Sequence, residues 1–120
     1  MPFHYILTNL LVDVPGALGA VFVDGEGEAV EWVSDRDGPP FELRVEGACQ
    51  AATLRQLGRV TAAAGGGDLE SYAFVGSRLT TLTQLLPHGY YIVLVARRSA
   101  SPGLARFHLR RAAAAIAGEL

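Results

Sequence analysis

Lysine is absent from this 120-residue chain, so ten arginines carry all of its basic side-chain charge. That absence excludes a P-loop lysine, a kinase-type phosphate lysine and Schiff-base chemistry on a carbonyl cofactor. Cysteine is nearly absent too. The single Cys49 permits no internal disulfide, and the N-terminus shows no signal-peptide pattern, so a cytoplasmic location is the expectation. Uncharged apolar runs are short: Tyr90 to Ala96, one of the longest, falls far below the roughly 20 residues that span a bilayer. What is abundant is small and apolar. Half of the residues are hydrophobic, 14 are glycine and 18 are alanine. The length is that of a single domain of roughly 100–150 residues, able to build a core without disulfides or metal.

The net charge of -2 hides an asymmetry. Residues 1–46 hold nine Asp or Glu against two Arg, whereas residues 47–120 hold three acidic residues against eight Arg. A uniformly basic nucleic-acid binder does not look like this. Arg97, Arg98, Arg106, Arg110 and Arg111 lack the interleaved aromatics or reading helix that nucleic-acid recognition needs.

Apolar residues at Phe3, Ile6, Leu7, Leu10 and Leu11 have helical spacing and predict a short helix ending before Val14-Pro15-Gly16. Residues 17–23 and 28–33 read as a β-hairpin around Asp24-Gly25-Glu26-Gly27, whose glycines supply the positive φ of a tight turn. The first strand is apolar throughout, as a strand covered on both faces would be. The second alternates less cleanly and reads as an edge. A polar loop, residues 34–40, leads into a long helix from about Phe41 or Glu42 to Ala64, with small residues along one stripe and Cys49 on that side as a buried or interfacial small hydrophobe. Strands follow at 69–75, 79–86 and 90–96. Ser101-Pro102 opens a last helix whose buried stripe is Ala105, Leu109, Ala112, Ala113, Ile116 and Leu120. The order α-β-β-α-β-β-β-α, with hairpin connections, predicts an α+β fold in residues 1–120: a five-stranded, mainly antiparallel sheet between helices.

This order of elements, with Val14-Pro15-Gly16 closing the first helix, Gly19-Ala20-Val21-Phe22-Val23-Asp24 as strand one, Glu26-Gly27 in the turn and Gly89-Tyr90-Tyr91-Ile92-Val93-Leu94-Val95 before the last helix, resembles the roadblock/LC7 family, which includes dynein light chain roadblock-like and bacterial polarity GTPase-activator-like proteins. The resemblance covers residues 3–120. It implies a profilin-like three-layer sandwich that forms cytoplasmic homodimers or pairs with a related roadblock chain. Two sheets join edge to edge through the third strand, and the long helices lie side by side on one face. The interface residues so implied are Leu69, Tyr72, Phe74 and Val75, with Ala51, Leu54 and Gly58 on the long helix. In bacteria and archaea such proteins look like partners of small Ras-like GTPases; one branch stimulates hydrolysis by shaping the GTPase's own site, and others are scaffolds. Arg55, Arg59 and Gln56, with Gln50 nearby, are the partner-binding residues this implies. The acidic hairpin and loop, the Gly65-Gly66-Gly67 corner and the hydroxylated Thr80-Thr81-Leu82-Thr83 depart from the common pattern.

No catalytic, cofactor or metal site is expected. His4, His88, His108 and Cys49 have no compact zinc spacing, and His88, between Pro87 and Gly89, reads as a turn residue. Gly65-Gly66-Gly67 follows a helix instead of opening one, so it does not cradle phosphate. The carboxylates of residues 24–37 lack the EF-hand ligand spacing. No acid, base and nucleophile assemble. The expected role is a non-enzymatic regulator or scaffold; the alternative is a ligand-sensing or generic protein-interaction module without a GTPase.

Overall fold

A computed structural model describes residues 2–35 and 43–120. The elements are α1 (Pro2–Asp13), β1 (Ala17–Val23), β2 (Ala29–Ser34), α2 (Leu43–Ala63), β3 (Ser71–Val75), β4 (Leu79–Leu85), β5 (Tyr91–Arg97) and α3 (Pro102–Ala117). The strands form one antiparallel sheet in the order β2-β1-β5-β4-β3, so β2 and β3 are its edges. The α+β order and the five-stranded sheet are those expected from sequence. The expected start of the long helix at Phe41 or Glu42, and most of the loop before it, lie outside the described residues.

Alternation along the strands divides the core into two layers. Phe22, Leu82, Ile92 and Leu94 face one side, where they pack with Leu7 and Leu10 of α1 and Leu109 and Ile116 of α3. Val21, Val23, Tyr91, Val93 and Val95 face the other side, where Leu54 of α2 packs against them. β1 is buried along its whole length, as a strand covered on both faces must be. α3 begins as expected: Pro102 occupies the first turn, and the Ser101 hydroxyl accepts from the Leu104 N–H at 3.3 Å. It ends at Ala117, which leaves Leu120 beyond the helix and exposed instead of on the buried stripe.

The hairpin differs from expectation in one detail. Only Gly27 takes a positive φ, 85°, while Gly25 does not. The Asp24 carboxylate organises the turn by accepting from the N–H groups of Glu26 at 2.9 Å and Glu28 at 3.0 Å. The uneven alternation of β2 also has a cause. Glu31 pairs with Phe22 but Ala29 pairs with Val23, so Val30 is the extra residue of a bulge.

Candidate protein-interaction surface

α2 is seated on the sheet at its N-terminal half. Gly47 lies so close to β1 that a Cβ there would stand 2.8 Å from Val23 Cγ2 and 3.2 Å from Val21 Cγ1. The buried Tyr91 hydroxyl donates to the Gly47 carbonyl at 2.6 Å and sets the height of the helix above the sheet. Burial first, and then the neighbouring phenol of Tyr72 and carboxylate of Asp24, push the Tyr91 pKa up to about 12 against the opposing charge of Arg55.

Three residues on, Gln50 is buried and forms a polar seam. Its Oε1 accepts from the Tyr72 hydroxyl at 2.6 Å, and its Nε2 donates to Glu46 at 3.1 Å. Burial raises the Tyr72 pKa; the adjacent Thr83 hydroxyl opposes that shift and Glu46 adds to it. Thr83, the cross-strand partner of Tyr72, is itself buried, and its hydroxyl meets no acceptor or donor in good bonding geometry. Gln50 therefore does not stand with Arg55, Gln56 and Arg59 on the outward surface. Its 3-residue step from Gly47 turns it toward the sheet. The same phase leaves Cys49 exposed in the single chain, which removes the buried setting expected for it and keeps the interfacial one.

Toward its C-terminal end α2 loses contact with the sheet. A Cβ on Gly58 would meet nothing within 4 Å, Leu57 and Thr61 are half-buried, and Val60 is exposed. Arg55, Gln56 and Arg59 are exposed, and neither arginine forms an ion pair with a carboxylate among the described residues. Ala51 lies beside the hairpin, 3.5 Å from where a Gly27 Cβ would be, and Leu54 packs on the core; both serve this chain's own packing.

The two sheet edges are treated differently. β2 carries the bulge and Glu31, which discourage pairing. β3, Ser-Tyr-Ala-Phe-Val, has no charge, proline or bulge, and its one ladder is with β4. Tyr72 and Phe74 share the α2 side, with ring centroids 5.3 Å apart in an edge-to-face arrangement. Phe74 is 46% exposed and Val75 64%, while Leu69 is half-buried just before the strand. Four of the seven expected interface residues thus line or adjoin one unguarded edge. Gly58 lies on the nearby open stretch of helix. Gly47 falls on the small-residue side of the long helix in the sequence, with Ala51, Leu54 and Gly58, but the Tyr91 hydroxyl that anchors it from 44 positions away has no signal there.

No family model and no curated protein matches the chain. Among solved structures, the gliding protein MglB from Thermus thermophilus is similar with a TM-score of 0.89 at 20% identity, over 98% of this chain and 87% of that one. A roadblock/LC7 domain from Streptomyces avermitilis gives 0.81 at 16% identity, over 96% and 94%. Profilin II of Acanthamoeba castellanii gives 0.68 at 14% identity, over 98% of each chain. The fold is therefore the roadblock/LC7 type of profilin-like sandwich, and a fold by itself leaves function to be argued from the surface.

Proposed function

We propose that this chain is a regulatory roadblock/LC7 domain that self-associates through β3 and docks a small Ras-like GTPase on the surface made by α2. The observation that carries this reading is the contrast between the edges. An apolar five-residue edge without a gatekeeper invites strand addition, and covering it also removes an aggregation hazard. Pairing β3 with its counterpart in a second copy would bring the open C-terminal stretches of two α2 helices toward each other, where Gly58 permits close approach. The GTPase comes from the family resemblance. Support on the surface itself is Arg55 and Arg59, exposed and free of intramolecular ion pairs among the described residues, because arginine's planar head suits bidentate contact with a partner's carboxylates.

In this reading the role is regulatory, and any effect on hydrolysis would act through the GTPase's own site. The test is co-purification of the protein with a Ras-like GTPase encoded in the same genome, loaded with a GTP analogue or with GDP. Preferential recovery of one nucleotide form is expected. Absence of binding to any such GTPase in either form would overturn the reading in favour of a module with other partners.

A further inference from the structure

The sheet face opposite α2 is unevenly covered. α1 and α3 pack over β1, β5 and part of β4, but the β3 residues on that side, Ser71, Ala73 and Val75, are all exposed. Between this strip and the first turns of α3 runs an open groove. Its floor is formed by Ala73, Val75, Leu82 and Ala96, and Ala105 forms the helix wall. Arg97, Arg98 and Arg106 line its rim. All three arginines are exposed, and none forms an ion pair with a carboxylate among the described residues. The reason lies in the sequence: residues 71–118 contain six arginines and no Asp or Glu. A fourth, Arg78, is held at the same end of the sheet, because the Arg98 N–H donates to the Arg78 carbonyl at 2.9 Å.

We propose that this groove docks an acidic segment of a partner protein. Apolar side chains of the segment sit on the alanine- and leucine-lined floor, and its carboxylates meet Arg97, Arg98 and Arg106. Small floor residues leave room for the partner's larger ones, and burial of apolar area there supplies affinity. Single-signed charge around an apolar depression selects an acidic partner and rejects a basic one. The concave shape favours a chain segment over a flat anionic bilayer. This site lies on the face opposite α2, belongs to one chain and does not depend on the GTPase reading.

The test is selection from two displayed libraries of random 12-residue peptides, one built from Asp, Glu and aliphatic residues and the other with Lys and Arg replacing the acids. The wild-type protein is expected to enrich the acidic library alone. An enriched peptide, made synthetically and followed by fluorescence anisotropy, should then bind about tenfold more weakly to the Arg97→Glu/Arg106→Glu variant. Ala73→Trp, which fills the floor without touching the charge, should weaken it similarly. In the wild-type protein, amide chemical shifts of Ala73, Ala96 and Gly103 should move on binding, a readout independent of whether either variant folds. Enrichment of neither library, equal binding by both variants, or shifts confined to α2 would overturn the proposal. So would co-sedimentation with phosphatidylcholine/phosphatidylserine vesicles in the absence of peptide enrichment, or self-association that Arg97→Glu/Arg106→Glu, both off β3, abolishes, which would assign the groove to a lipid surface or to a second copy.

Discussion

One substitution, glycine to alanine, should have opposite effects at two positions of α2. In a helix interior alanine is favoured over glycine by about 0.5–1 kcal/mol. At Gly58 nothing lies within 4 Å of the added methyl, so Gly58→Ala should gain that amount in the isolated chain. At Gly47 the methyl would stand 2.8 Å from Val23 Cγ2 and 3.2 Å from Val21 Cγ1. Both valines are fully buried and, being β-branched, cannot swing aside cheaply. Overpacking of this kind costs about 1–3 kcal/mol. Lifting the helix to relieve it would lengthen the 2.6 Å Tyr91–Gly47 hydrogen bond. The helix preference recovers part of the cost, which leaves Gly47→Ala destabilised by about 1 kcal/mol, or roughly 4 °C in Tm for a chain of this size. Urea unfolding at protein concentrations low enough to keep the chain monomeric, with the m-value checked for constancy, measures both variants. A Gly47→Ala protein as stable as wild type or more stable would refute the close seating of α2 on β1.

Other substitutions test the surface and its supports. Phe74→Lys with Val75→Lys should convert an associated protein to a monomer while the fold persists; the Tyr72 hydroxyl serves the Gln50 seam, so Tyr72 is best left intact. Unchanged mass by light scattering would place the interface elsewhere. Arg55→Glu with Arg59→Glu should weaken GTPase binding at least tenfold without altering the oligomer, and equal affinity would remove both residues from the site. Tyr91→Phe should cost about 1 kcal/mol through loss of its bond to Gly47. It should also change the alkaline limb. The folded chain holds the Tyr91 proton more tightly, with its pKa pushed up from 10.0 to about 12, so that contribution is full below pH 10 and is lost as pH rises toward 12. Tyr72 acts in the same direction. Stability of wild type should therefore fall more steeply than that of Tyr91→Phe between pH 10 and 12, and parallel curves would contradict the buried-phenol assignment.

The order of the elements and the edge position of β2 were legible because periodicity is strong wherever a face is buried, whereas the edge position of β3 came from the family resemblance. Leu7 and Leu10 in α1, the unbroken run of β1 and the Ser101-Pro102 start of α3 all declare themselves. Long-range geometry was less legible. Val30 is an extra residue only because β1 sets the register opposite it, so its bulge shows in the sequence merely as untidy alternation. Gln50 reads as surface by polarity, yet the Tyr72 hydroxyl, 22 positions away, offsets the cost of its burial. Cys49 reads as buried or interfacial, and the phase set by Gly47 turns it outward, which leaves only the interfacial setting. The α3-side groove was beyond reach, since three arginines become neighbours of Ala73 and Val75 only when β3, β4 and α3 are assembled.

Pairing through β3 is the premise of the whole functional reading, and light scattering on the purified wild-type chain at micromolar concentration tests it most directly. A mass of twice the 12.7 kDa chain, or an even multiple of it, is the predicted result. A monodisperse 12.7 kDa monomer would contradict it.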